Sequence, residues 1–153
     1  PRDGWQRELE SELDGEPDDR SIHFLVDGDG NSGKSWFANY YRKLHPDKTQ
    51  ILRVGKRDDM AHSVLERNSV FFFDVPRRGM EYLQYVVLES IKDGVVFSPK
   101  YDSQTKYFEH KSHVVVMCNE RPDMLALSQD RFKITIISEP VTGTETQNEL
   151  LDI

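Results

Sequence analysis

Eight consecutive residues have the spacing to hold phosphate: Gly28-Asp29-Gly30-Asn31-Ser32-Gly33-Lys34-Ser35. They follow the pattern G-x-x-x-x-G-K-[ST], between a predicted strand and a predicted helix. The glycines let backbone N–H groups turn inward around an anion with no Cβ in the way. Lys34 then brings positive charge to the outer phosphates of a nucleotide, and Ser35 brings a hydroxyl to a magnesium ion. The helix N-terminus adds its dipole. Trp36 completes the segment expected to contact the nucleotide. The implied ligands are ATP and Mg2+.

Two further strand tips fit the same chemistry. Val70-Phe71-Phe72-Phe73-Asp74 ends in a single carboxylate, which is costly to bury unless it faces a cation. Asp74 is expected to hold the magnesium ion with Ser35, on a strand beside the phosphate-loop strand. His113–Cys118 is a second apolar run, followed by Asn119, whose amide both donates and accepts. There it would orient the attacking water. Lys34, Asp74 and Asn119 are the expected hydrolytic set.

The elements that must position these residues are legible in the pattern. Trp5, Leu9 and Leu13 fall at i, i+4, i+8 and predict a short helix over 4–13, stopped by Pro17-Asp18-Asp19. Strands are expected over 21–27, 49–54, 69–75, 113–118 and 131–137. Helices are expected over 34–44, 58–68 and 80–92, the last ended by Asp93-Gly94. A hairpin pairing 95–97 with 106–108 interrupts the alternation. The continuous apolar runs are those of strands buried on both faces. The predicted fold is therefore α/β, a P-loop NTPase with a mostly parallel sheet flanked by helices and an inserted hairpin. Three segments are expected: an N-terminal helical segment over 1–20 that could serve oligomerisation, a P-loop ATPase core over 21–137, and a flexible acidic tail over 138–153.

Composition narrows the partners. The chain has 153 residues, 31% charged, with a net charge of −7. The acids concentrate at the ends, −5 over 1–20 and −4 over 138–153, which leaves the middle at +2. A negative total therefore does not exclude nucleic acid, because local basic elements decide that question. One such element spans 93–111, where Lys100, Lys106 and Lys111 interleave with Phe97, Tyr101, Tyr107 and Phe108. Lysines neutralise phosphates and aromatics stack on bases, so this is a candidate single-strand DNA surface. Lys100, Lys106 and Tyr101 are its expected contacts. The five histidines have no zinc-ligand spacing with the single cysteine, Cys118, which suits a reducing compartment. No run of 18 apolar residues exists to span a membrane.

The order of phosphate loop, Asp strand and Asn strand resembles the superfamily 3 helicases of small viruses, an AAA+-like group. Gly4-Trp5-Gln6, Phe73-Asp74-Val75-Pro76-Arg77, Ser98-Pro99-Lys100-Tyr101 and Asp130-Arg131-Phe132 are similar to replication-associated (Rep) proteins of circular single-stranded DNA viruses, of the circovirus, nanovirus or alphasatellite type. The resemblance covers about 4–137. It implies a ring, a homo-hexamer, that hydrolyses ATP and translocates 3′-to-5′ on single-stranded DNA in the host nucleus. It also implies that the Ser98–Lys106 hairpin grips the strand and that Arg131 is a finger completing a neighbour's site, with Arg77, Arg78 and Arg121 as rivals. The origin-nicking endonuclease of such proteins has no counterpart here.

One departure stands out. Many superfamily 3 helicases place two acids together where this chain has Asp74 alone, between Phe73 and Val75. Glu120 is a substitute candidate for polarising water. Two other readings share the loop: a small-molecule or nucleotide kinase, and a non-catalytic ATP-binding oligomerisation module. The kinase reading leaves the lysine–aromatic hairpin and the Asn-terminated strand unexplained, whereas the missing second acid supports the module.

Overall fold

The computed structural model describes residues 1–140. Helix α1 (Trp5–Asp14) precedes β1 (Ile22–Asp27), α2 (Lys34–Leu44), β2 (Thr49–Arg53), α3 (Arg57–Ser63), β3 (Val70–Asp74) and α4 (Tyr85–Asp93). Then come the hairpin β4 (Val95–Ser98) and β5 (Gln104–Tyr107), β6 (His113–Cys118) and β7 (Phe132–Ser138). Five strands form one parallel sheet in the order β2-β3-β6-β1-β7, and β4 pairs with β5 in a separate antiparallel ribbon.

The apolar runs alternate between two cores, as the period of two in a strand requires. Phe71 and Phe73 of β3, with Phe24, Val26, Val114 and Val116, face α3, α4 and the hairpin's Val96. Val70 and Phe72, with Leu25, Val115 and Met117, face α1 and α2. Both faces of β3 are thus covered, which is why its sequence shows no polar alternation. The stripe of α1 is spent here too. Leu9 and Leu13 are buried against Phe37 and Tyr41, each contributing about 1.5–3 kcal/mol.

Two helices differ from their expected bounds. The helix expected over 58–68 stops at Ser63, and Val64 turns extended. Gln50 accounts for part of this: its amide donates to Ser63 O at 2.7 Å and accepts from Leu65 N–H at 3.0 Å. The helix expected over 80–92 is a short 3-10 turn at Met80–Tyr82 followed by α4. Gly94 ends α4 at φ +85. At the other end of the chain, β7 carries regular structure through Ser138, and the acidic tail from residue 141 onward lies outside the described residues.

Candidate phosphate-binding site

Because the sheet is parallel, the C-terminal ends of β1, β3 and β6 lie on one edge. That edge receives the Gly28–Ser35 loop, Asp74 and Asn119, at the place where open α/β sheets bind ligands. The strand carrying Asp74 is not beside the loop strand, as expected from sequence. β6 lies between them, so Asn119 is the nearer residue. Its Nδ2 donates to Asp27 O at 2.8 Å, which ties the Asn strand to the root of the loop and leaves its amide oxygen as an acceptor.

The loop is a cradle of backbone amides. Gly30 (φ +78), Asn31 (φ +59) and Gly33 (φ +88) are left-handed, and such turns point successive N–H groups into one concavity. Gly28 N–H is taken by Ser138 O at 3.1 Å and Asp29 N–H by Ser138 Oγ at 3.0 Å. The first helical bond of α2 is Phe37 N–H to Gly33 O. Among the described residues the seven amides of 30–36 have no protein acceptor. A run of donors at a helix N-terminus fits a phosphate chain. Gly28 is required for a second reason: a Cβ there would lie 2.4 Å from Glu139 O and Pro140 Cα.

Lys34 extends over this cradle, its Nζ 3.2 Å from Asp27 Oδ2. Asp27 was not among the residues expected in the site, although its place directly before Gly28 was visible. Its side chain is only 2% exposed. Burial alone would raise its pKa, but the Ser138 hydroxyl at 2.5 Å and the Lys34 ammonium hold it well below the usual carboxylate range. It therefore positions Lys34 and is a poor proton acceptor. Ser35 is exposed at the start of α2 and Asp74 is half-buried at the tip of β3, so a magnesium ion would draw on these two oxygens. Trp36 is 53% exposed and lies flat on Tyr40, with ring centroids 5.2 Å apart. Glu120 is exposed.

Two expected site residues have other employment. Arg131 is 3% exposed, with Nη2 2.8 Å from Asp93 and Nε 3.3 Å from Glu89. A guanidinium held this way anchors the start of β7 to α4 and is not presented to a neighbouring subunit. Lys106 is 5% exposed, because it pairs with Val96 on the inward face of the hairpin. Its ammonium donates to Ala61 O (2.9 Å), His62 O (2.6 Å) and Val64 O (2.5 Å), closing the end of α3. That is the remaining reason the helix stops early. Burial pushes the lysine's pKa down, against the raising effect of Glu66.

The hairpin tip keeps its expected exposure. Tyr101 is 83% exposed at φ +55, near His62. Lys100 is half-exposed and paired with Asp59. Lys56 and Arg57 line the same cleft as Lys100, cations brought in from the start of α3 that no local pattern marked.

The fold and this edge define the class: an α/β P-loop NTPase-type domain. Over 132 residues, 85% of the chain, the sequence is 38% identical to Para-Rep C6 of Subterranean clover stunt C6 alphasatellite. It is 37% identical over 132 residues to Para-Rep C9 of Faba bean necrotic yellows C9 alphasatellite. The chain spans about half the length of these curated relatives, 46% in both cases. A solved structure, the A form apo structure of the NrS-1 C-terminal region, shares the fold at a TM-score of 0.56 and 12% identity, covering 88% of this chain and 34% of that one. No protein-family model matches the chain. Over most of its length the chain is thus similar to the alphasatellite Para-Rep proteins, and it shares its fold with the NrS-1 C-terminal region.

Proposed function

We propose that this domain binds ATP with magnesium in the Gly28–Ser35 loop, hydrolyses it, and uses the cycle to move single-stranded DNA past the hairpin tip of a ring-shaped oligomer. The observation that carries the reading is the run of seven amides without acceptors beneath Lys34, on the sheet edge that also holds Asp74 and Asn119. Within that site, the 30–36 amides grip the inner phosphates and Lys34 moves from Asp27 toward the outer ones. Ser35 and Asp74 would hold the metal, which would supply charge neutralisation for the transferred phosphoryl group. Asn119, fixed through its Nδ2, turns its carbonyl oxygen toward the attacking water. DNA contact rests on Tyr101 and Lys100, joined by Lys56 and Arg57, with Lys106 supporting the tip from below.

Among the described residues Asp27 is committed to its donors and Asp74 to the metal, which leaves exposed Glu120, beside Asn119, as the candidate for polarising water. The missing second acid beside Asp74 favours slow hydrolysis and gives weight to a second reading, in which ATP binding drives assembly and turnover is incidental. The test is phosphate release by wild type and Lys34→Ala, with and without single-stranded DNA, with mass measured under each condition. DNA-stimulated release that needs Lys34 and magnesium supports the first reading. ATP-dependent assembly without DNA-dependent release supports the second. A monomer that neither assembles nor releases phosphate overturns both.

A further inference from the structure

We propose that Arg77 reads the outermost phosphate of the bound nucleotide from within the same chain; this rests on the loop being a nucleotide site. Arg77 lies three residues beyond Asp74, past the end of β3. Its guanidinium reaches back over the phosphate loop, with Nη1 3.4 Å from Gly28 O and Nη2 3.4 Å from Asp29 O. It fills the space beside Gly30, where an added Cβ would meet Nη2 at 2.9 Å.

The company it keeps separates it from Arg20, Arg121 and Arg131. Arg20 holds Asp130, Arg121 holds Glu139, and Arg131 holds Asp93. Arg77 has no carboxylate partner among the described residues, and its hydrogen bonds go to the two loop carbonyls. Contacts of 3.4 Å lie at the long end for N–H···O bonds, so little holds it there. A planar fork of N–H donors is suited to two phosphate oxygens at once. Position decides which phosphate. The amides nearest α2 grip the inner phosphates, whereas Gly28 and Asp29 begin the loop, at its other end. The residue therefore favours a nucleoside triphosphate over the diphosphate. Because it belongs to the same chain as the loop, it does so without a neighbouring subunit.

The test is calorimetric binding of magnesium-ATPγS and magnesium-ADP to protein dilute enough to be monomeric. Arg77→Gln is expected to weaken ATPγS about tenfold and ADP less than twofold. Arg77→Lys should fall between, since an ammonium brings charge without the fork. Equal weakening of both nucleotides overturns the proposal and makes Arg77 a support for the loop, and so does no change in either. Should the glutamine variant fail to fold, the lysine variant carries the same comparison. If wild type binds neither nucleotide, the nucleotide-site reading falls as well. If wild type binds, Lys34→Ala weakens binding about a hundredfold, and the Arg77 variants bind as wild type, only the Arg77 proposal falls.

Discussion

Lys34 and Lys106 are both withdrawn from solvent, with 12% of the first side chain and 5% of the second residue exposed, yet their surroundings oppose each other. Lys34 faces one carboxylate and a run of amides with nothing to bind. Lys106 faces three carbonyls that have no other donor of comparable strength. The first arrangement has surplus donors and calls for an anion. The second is complete. A lysine near a functional element is informative only through the balance of donors and acceptors around it.

The contrast can be broken at either end. The largest effect is expected from Lys106→Met, which keeps the volume and removes the donor. Leaving the end of α3 unsatisfied should cost about 3–4 kcal/mol, read as a lowered denaturant midpoint, with nucleotide affinity unchanged in the folded fraction. Lys34→Ala should lower nucleotide affinity about a hundredfold, near 2.7 kcal/mol, and leave the midpoint within about 0.5 kcal/mol. If these two signatures were exchanged, the comparison would be reversed.

The hairpin tip sharpens it further. Tyr101→Ala should weaken a short single-stranded DNA about tenfold with no change in melting, because its ring is exposed and a stacked base is worth about 1–3 kcal/mol. Lys100→Ala should have the smallest effect, about twofold to threefold. Asp59 already neutralises that ammonium, and exposed pairs contribute about 0–1 kcal/mol. A tenfold loss for Lys100→Ala with none for Tyr101→Ala would show that the tip works by charge rather than by stacking.

What was legible in the sequence divides along the same line. The loop, α2, β3 and β6 follow from local constraints: glycines for left-handed turns, an apolar run for a doubly buried strand, a polar residue at its tip. Asp74 and Asn119 reach the loop's edge of the sheet because parallel strands deliver their C-termini together. The strand order could not be read, since nothing within β3 says that β6 intervenes. Nor could the fates of Lys106 and Arg131, whose partners stand 42–45 and 38 residues away for their closest bonds. Alternation carried no signal for Lys106: Val95, Val96 and Phe97 are all apolar, and only the fold buries Val96, opposite Lys106, while Val95, Phe97 and Tyr107 stay exposed. Arg77 was visible only as a rival finger, and its reach across to Gly28 and Asp29 depends on two elements folding against each other.

Ser138 gives the site a mechanical property. Its carbonyl, its hydroxyl as acceptor and the same hydroxyl as donor join the last residue of β7 to Gly28, Asp29 and Asp27. The chain then passes so close to Gly28 that no side chain fits between them. Tension reaching Pro140 would load these bonds. Force applied to that end of the domain and grip on a phosphate chain would therefore share the same few atoms, a direct transmission from load to ligand with no intervening lever.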